Sequence, residues 1–539
     1  MNATIPPPKL TTVTGRSGMV SAPHALAAEA GLGVLRDGGN AAEASIAVAA
    51  TLAVVYPHMT GIGGDGFWLI AEPANGSSRG RVHAVHGCGG AAAKADLALY
   101  AGLETVPTRG ALAANTVAGA ISAWRSVLKT AGGKLPLARL LEGAIHHADT
   151  GVAVTAGGAA IAQAKSAELR DQPGSYRAIF EPDNRPLIEG EKLRQTALAQ
   201  TLRDLAARGL EDFYCGAMAR VIAEDLAALG SPVSHLDLTS HAATRPQPLH
   251  STIGAAHLFN SAPPTQGFAS LLILALFDRL SAPEMDGFDH VHGLVEATKQ
   301  AFLLRDRHVG DPAYHDFDWQ GLLDDPAALA QLAGRIDPTR ALPWPQPPQW
   351  GDTCWFGVAD GEGRVVSAIQ STYHEFGSGL VLPQTGITWQ NRGSSFRLAA
   401  DGWNALRPRR KPFHTLNPAL ACFGDGRIMA YGTMGGEGQP QTQAALFTRY
   451  ARYGADLQEA INRPRWLLGR TWGDQSTTLK IEDGFDEAVY AALSAAGHDV
   501  ERIGPLTATM GHAGAIVRHP DGTLEGATDP RSDGMVAAW

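Results

Sequence analysis

Between residues 337 and 352 the chain carries Pro338, Pro343, Pro345, Pro347 and Pro348, and an apolar run follows at once. Proline removes a backbone donor and fixes φ, so no helix or central strand survives that density. The segment predicts an exposed or mobile linker, and the rest of the chain must organise itself on either side. Thr353, Trp355, Phe356 and Val358 are strand formers, Asp360-Gly361-Glu362-Gly363 is a turn signal, and Arg364 to Ile369 returns as a second strand. Residues 353–369 are therefore expected to form a hairpin. On propensity alone, a threonine opening a strand is structural.

At 539 residues the chain would allow two to four average domains, although large α/β and sandwich enzymes exceed that average. A hydrophobic fraction of 45% with 18% charged residues supplies an ample core. The 62 glycines exceed the usual ~7% without any repeat period, which predicts many tight turns and no collagen-like array. A net charge of −9 argues against nucleic acid as a partner. The densest basic patch, Arg407, Arg409, Arg410 and Lys411, reads as a solvated loop. The N-terminus shows no charged segment followed by an apolar one, and the apolar run Ser45–Tyr56 is too short to span a bilayer. A cytoplasmic protein without membrane partners is expected. Cys88, Cys215, Cys354 and Cys422 are scattered and form no C-x-x-C, so neither a disulfide framework nor a zinc site is indicated.

His24–Arg36 reads as an amphipathic helix stopped by Gly38-Gly39, and Asn40 opens an Ala/Val-rich helix that is apolar all round and therefore buried. The block Pro57-His58-Met59-Thr60-Gly61-Ile62-Gly63-Gly64-Asp65-Gly66-Phe67 lacks the Gly-Lys-Ser/Thr of a phosphate loop and runs into a strand. Helices are expected at 117–130, 137–150, 193–208 and 212–229. His146-His147 points two ways on one helix, since adjacent residues diverge by about 100°. His292 and Glu296 share a helix face that could hold a metal in principle; a structural pair is the expectation.

The hairpin, with Gln370-Ser371-Thr372-Tyr373-His374-Glu375-Phe376-Gly377-Ser378-Gly379, resembles the nucleophile region of the γ-glutamyltranspeptidase family. The glycine block at 57–67, the run Asn260–Phe268, residues 386–396, 411–418, 431–443 and 457–466, and Gly526–Arg531 extend the resemblance over nearly the whole chain. It implies an N-terminal-nucleophile hydrolase of α/β (α+β) class, a four-layer αββα sandwich. It implies one precursor that cuts itself between Asp352 and Thr353. The products would be a large subunit, 1–352, and a small one, 353–539, forming one intertwined domain; a homo-oligomer of such heterodimers is compatible with this. A free hydroxyl needs an adjacent base. The α-amino group released on Thr353, with a reference pKa of about 7.7–8.0, would be that base. Cys354 is a rival nucleophile, and the chemistry of the residues alone does not choose between them. By the same resemblance Ser371 stands beside the nucleophile, and Gly435 and Gly436 supply N–H groups to an oxyanion hole. Tyr373 falls among the substrate-binding positions.

The departures from the family pattern bear on substrate. Where the glutathione-processing members carry an Arg-Glu pair that grips the glutamyl α-carboxylate, this chain has Cys88 and Gly89. Where they carry an Asp for the α-amino group it has Ser395, and a neutral hydroxyl cannot balance an ammonium. Arg392 replaces an uncharged amide, and His414 and Thr415 replace paired serines. Arg392 and His414 are the expected carboxylate contacts. This combination looks most like the family's oxamate amidohydrolase branch, which implies a small carboxylate-bearing amide hydrolysed to oxalate and ammonia. The alternatives are a γ-glutamyl hydrolase or transpeptidase, a cephalosporin-type acylase, and an unprocessed relative that only binds a ligand. No metal or organic cofactor is called for.

Overall fold

The computed structural model describes residues 10–73, 80–344, 352–469 and 477–539. The strands of its two main sheets are, in chain order, β1 (Val13–Gly15), β2 (Gly18–Ala22), β3 (Asp65–Glu72), β4 (Arg81–Gly87), β5 (Leu249–Ile253), β6 (Ala256–Asn260), β7 (Asp352–Asp360), β8 (Val365–Tyr373), β9 (Ala419–Phe423), β10 (Ile428–Thr433), β11 (Ala513–Arg518), β12 (Leu524–Thr528) and β13 (Met535–Ala538). One sheet has seven strands in the order β1-β12-β11-β10-β9-β6-β5, the other six in the order β13-β2-β7-β8-β3-β4. Neighbours within both are antiparallel.

Successive side chains on a strand point to opposite faces. In β7, Trp355 and Ala359 therefore enter the core between the sheets, while Cys354, Phe356 and Val358 enter the core under helices. β3 alternates likewise, with Phe67 and Leu69 on the inner face and Trp68 and Ile70 on the outer. On the opposite sheet Ala430 and Ile516 face inward, and Met429, Tyr431, Ala515 and Val517 face a third core. Three cores between four layers give the αββα sandwich. On the six-stranded sheet lie α1 (Ala25–Arg36), α2 (Ala41–Val55) and α3 (Ala120–Ala131), with α4 (Leu137–Thr150) behind α2. On the seven-stranded sheet lie α5 (Gly267–Phe277) and α7 (Gly438–Phe447), backed by α6 (Phe288–His308). Both sheets draw strands from either side of residue 352. Among the described residues no helix is long and apolar enough to cross a membrane.

The buried helix expected after residue 40 is α2, every residue of which is buried. Asn40 and Glu43 close a capping box, and Glu43 Oε1 also accepts from the N–H groups of Lys134 and Leu135 at 2.6 and 2.7 Å. Other boundaries move for local reasons. The helix expected from Val117 begins at Ala120, because Val117 and Gly119 spend their N–H groups on the carbonyls of Gly90 and Gly64. The one expected at 193–208 begins at Thr196, Lys192–Leu193 forming a short strand. The one expected at 212–229 breaks at Gly216, where the Asp212 carboxylate caps the N–H groups of Ala217 and Met218.

The proline-rich linker corrects in part. Residues 345–351 lie outside the described residues, but 337–344 are moored to the body. Ala341 N–H donates to Ala496 O, Leu342 N–H to Glu296 Oε2, and Lys299 Nζ to Leu342 O. The His292–Glu296 pair gains a third member from tertiary structure, His498, with candidate ligand atoms within 4.8 Å of one another. Each is already occupied: His292 bonds His498 and the Asp337 carbonyl, and Lys299 Nζ sits 2.6 Å from Glu296 Oε1. That ammonium fills the place of a cation, so the cluster reads as a mooring for the 337–342 segment.

Candidate active site

Thr353 is the second residue of β7 and is fully buried. β8 pairs with β7 in strict register from Val365 to Gln370, which faces Cys354; the next pair is Tyr373 with Asp352. Ser371 and Thr372 together oppose Thr353, a bulge that increases local twist and re-aims the side chains beside it. Tyr373 leaves the bulge at φ +85°, and its N–H donates to Ser371 Oγ at 2.8 Å. Gln439 Nε2, from the first turn of α7, donates to Thr353 Oγ1 at 3.4 Å. Cys354 faces the helix layer, on the opposite side of β7 from Thr353, so the fold separates the two rivals that the residues alone left open. The glycine block at 61–64 packs against this bulge. A Cβ on Gly64 would lie 2.1 Å from the Ser371 carbonyl oxygen, so the strand can approach only because that residue is glycine.

Gly435 and Gly436 form the turn between β10 and α7, at φ +113° and +50°. Among the described residues neither N–H has an internal acceptor. Donors left over in a buried turn at a helix start suit a developing oxyanion. The carbonyl sides are spent: Gly435 O accepts from Gly438 N–H, and Gly436 O from Gln439 N–H and Gln266 Nε2.

Arg392 is the other polar centre. It is 1% exposed, its guanidinium lies 3.7 Å over the Tyr373 ring, and Nη1 donates to Thr415 Oγ1 at 3.2 Å. Nε and Nη2 are buried with no partner among the described residues. Burial pulls its pKa down to about 10, which leaves it cationic at neutral pH. Asp65, at the head of β3, lies close enough to feel that charge. Burial pushes its carboxyl up to about 7, against Arg392 and hydrogen bonds from Gln390 and Gly119. His414 Nε2 is 2.9 Å from Asp65 Oδ2, and burial holds the imidazole well below its ordinary value, with Arg392 adding to the effect. Burial also pushes the Cys88 thiol up to about 12, so it stays protonated.

The fold thus links Tyr373, Arg392 and Thr415 in one chain of contacts and sets Ser371 opposite Thr353. His414 commits Nε2 to Asp65, and it is Arg392 that carries unused donors. Ser395 is half-buried and its Oγ donates to Phe413 O at 3.3 Å, which employs its hydroxyl within the loop. Asp352 pairs with Tyr373 at the strand end. Asp65, Gln266 and Gln439 were given no role from sequence. A carboxylate heading an otherwise apolar strand was the one available signal for Asp65; the glutamines offered none.

A family model described as gamma-glutamyltranspeptidase matches residues 27–539. The oxamate amidohydrolase proenzyme of Klebsiella pneumoniae is 52% identical over 97% of this chain and 98% of its own length. The glutathione hydrolase-like YwrD proenzyme of Bacillus subtilis is 39% identical over 97% of this chain and 99% of its own. Among solved structures, cephalosporin acylase from Bacillus halodurans superposes with a TM-score of 0.92 at 32% identity, covering 100% of this chain and 99% of that one.

Proposed function

Because the chain belongs to the γ-glutamyltranspeptidase family, we propose that it is a self-processing amidohydrolase acting on a small amide with a carboxylate next to the scissile carbonyl, oxamate in the first place. The observation that carries the reading is the buried Arg392, whose Nε and Nη2 have no partner among the described residues. A planar fork of that kind suits a carboxylate, and a buried cation with no direct ion pair among the described residues is costly until an anion arrives. The absence of the glutamyl anchors, with Cys88 and Ser395 in their places, and the 52% identity to an oxamate amidohydrolase proenzyme point the same way.

In the continuous chain the Thr353 nitrogen is an amide. Attack of Thr353 Oγ1 on the Asp352 carbonyl exchanges that amide for an ester and passes the hydroxyl proton to the departing nitrogen, which becomes the free α-amino group; water then opens the ester, leaving the Asp352 carboxylate and the Thr353 hydroxyl. In turnover this amine takes the hydroxyl proton as Oγ1 adds to the amide carbon, and Gly435 and Gly436 N–H hold the oxyanion. The C–N bond then breaks, the proton passes to the departing nitrogen, and ammonia leaves. Water, deprotonated by the same amine, attacks the oxalyl ester and releases oxalate with a regenerated hydroxyl. Ser371 orients the nucleophile, and Gln439 donates to its oxygen. The two subunits, cut at 352–353, stay joined because both sheets hold strands of each.

Three measurements test this: fragment masses on a denaturing gel, ammonia release from oxamate, and chromophore release from a γ-glutamyl anilide. Two fragments with oxamate turnover are expected, and a Thr353→Ala variant should remain a single inactive chain. Preference for the anilide would favour a glutathione-type substrate instead; a variant that still matures would remove Thr353 as the nucleophile.

A further inference from the structure

Arg392 and the Gly435–Gly436 turn come from distant parts of the chain, and one buried side chain ties them together. Gln266, just ahead of α5, is fully buried, and its Nε2 donates to Thr415 O and to Gly436 O, each at 2.8 Å. Thr415 Oγ1 in turn accepts from Arg392 Nη1 at 3.2 Å. One amide nitrogen therefore bridges the residue that holds the guanidinium and the peptide unit of the oxyanion turn. Gln266 is itself pinned. Its Oε1 accepts from Arg305 Nη1 at 3.1 Å, and Arg305 Nη2 pairs at 2.9 Å with Glu437, the next residue along the turn. Arg305 is 1% and Glu437 3% exposed, so solvent does not loosen the frame.

We propose that Gln266 is a positioning residue that sets the spacing between the carboxylate-binding guanidinium and the oxyanion donors, and through it the selection of amides whose carboxylate is bonded directly to the scissile carbon. The inference rests on the function proposed above. In such a substrate no rotatable linker separates the two groups, so a bound carboxylate dictates where the carbonyl oxygen falls. A misplacement of about 1 Å costs on the order of 100-fold in rate. Gln266 touches neither the substrate nor the reacting atoms; it fixes two peptide carbonyls and, through them, the groups that do.

The test is Gln266→Met, which keeps the length and loses both donors. In the processed enzyme, kcat and KM are measured with oxamate, and the dissociation constant of oxalate by titration calorimetry. A fall in kcat of about 10- to 100-fold, with oxalate affinity within about 3-fold of wild type, is expected, since Arg392 remains while the carbonyl leaves its donors. An unchanged kcat overturns the inference. So does a parallel loss of oxalate binding, which would make Gln266 a support for the Arg392 pocket alone. Should that variant not mature, Gln266→Asn carries the same comparison; if neither matures, the side chain is holding the fold and the inference falls. Wild-type enzyme that self-cleaves yet leaves oxamate intact overturns the substrate reading and this inference with it, whereas wild-type turnover with a parallel loss in the variant overturns this inference alone.

Discussion

At Arg392 the local environment does what a change of residue type alone would not. An arginine on the surface would be one more solvated cation. Here Tyr373 covers one face, Thr415 takes a single donor, and Nε and Nη2 have no partner among the described residues. Asp65 is near enough to moderate the charge, yet burial raises its carboxyl to about 7 and its oxygens are engaged by His414, Gln390 and Gly119. Removing one partner from a buried, charge-assisted contact costs about 2–5 kcal/mol. Arg392→Met should therefore raise KM for oxamate by roughly 30-fold or more. Self-cleavage is expected to persist, because the proposed attack of Thr353 Oγ1 on the Asp352 carbonyl draws on no guanidinium donor. Steady-state kinetics beside a denaturing gel read both outcomes; a variant with unchanged KM would remove Arg392 from substrate binding.

At the element scale, β7 is placed by glycines on the opposite sheet. The Trp355 indole lies where a Cβ on Gly432 would come within 2.2 Å of its ring and one on Gly514 within 2.3 Å, and its Nε1–H donates to Ser367 Oγ at 3.0 Å. β10 and β11 thus leave a slot that fits one tryptophan, two residues along from Thr353. Gly514→Ala fills the slot. Overpacking of this kind typically costs about 1–3 kcal/mol, and the displaced ring moves the strand that carries Thr353, the proposed nucleophile. The expected result is a folded variant, with its thermal midpoint lowered by several degrees and slower self-cleavage. A time course of cleavage after expression measures this, and wild-type kinetics would show that the slot does not set the Thr353 position.

For the molecule as a whole, the buried histidines decide the response to acid. Burial pulls His58, His86 and His241 down to about 3 and His24 and His512 to about 4. Unfolded, these groups take up protons below about 6.5; folded, they do not until pH 3–4. Their contribution is complete above pH 6.5 and is lost as the pH falls through that window, each by about 1.4 kcal/mol per pH unit. Asp65 runs the other way, because its folded carboxyl keeps a proton up to about 7: its contribution is present below pH 4 and lost as the pH rises through 7. Because these depressed histidines outnumber the raised carboxylates Asp65 and Asp533, the thermal midpoint should drop steadily from pH 6.5 to 4.5 in calorimetry, and a flat profile would contradict the burial of these rings. The same burial separates what the residues alone could say from what they could not. Apolar periodicity and turn chemistry are local, so the hairpin at 353–369, the capped buried helix after Asn40 and the helix at 137–150 were all legible in the sequence. The layer order was legible only through resemblance to a family, and the choice of Thr353 rests on that resemblance too. Hydrogen bonds between residues far apart in the chain leave no periodic trace. Asp65 against His414, Gln266 between Thr415 and Gly436, and the three-residue cluster at His292 appeared only when the sheets closed, because each depends on which layer a side chain enters and on what burial then does to its charge.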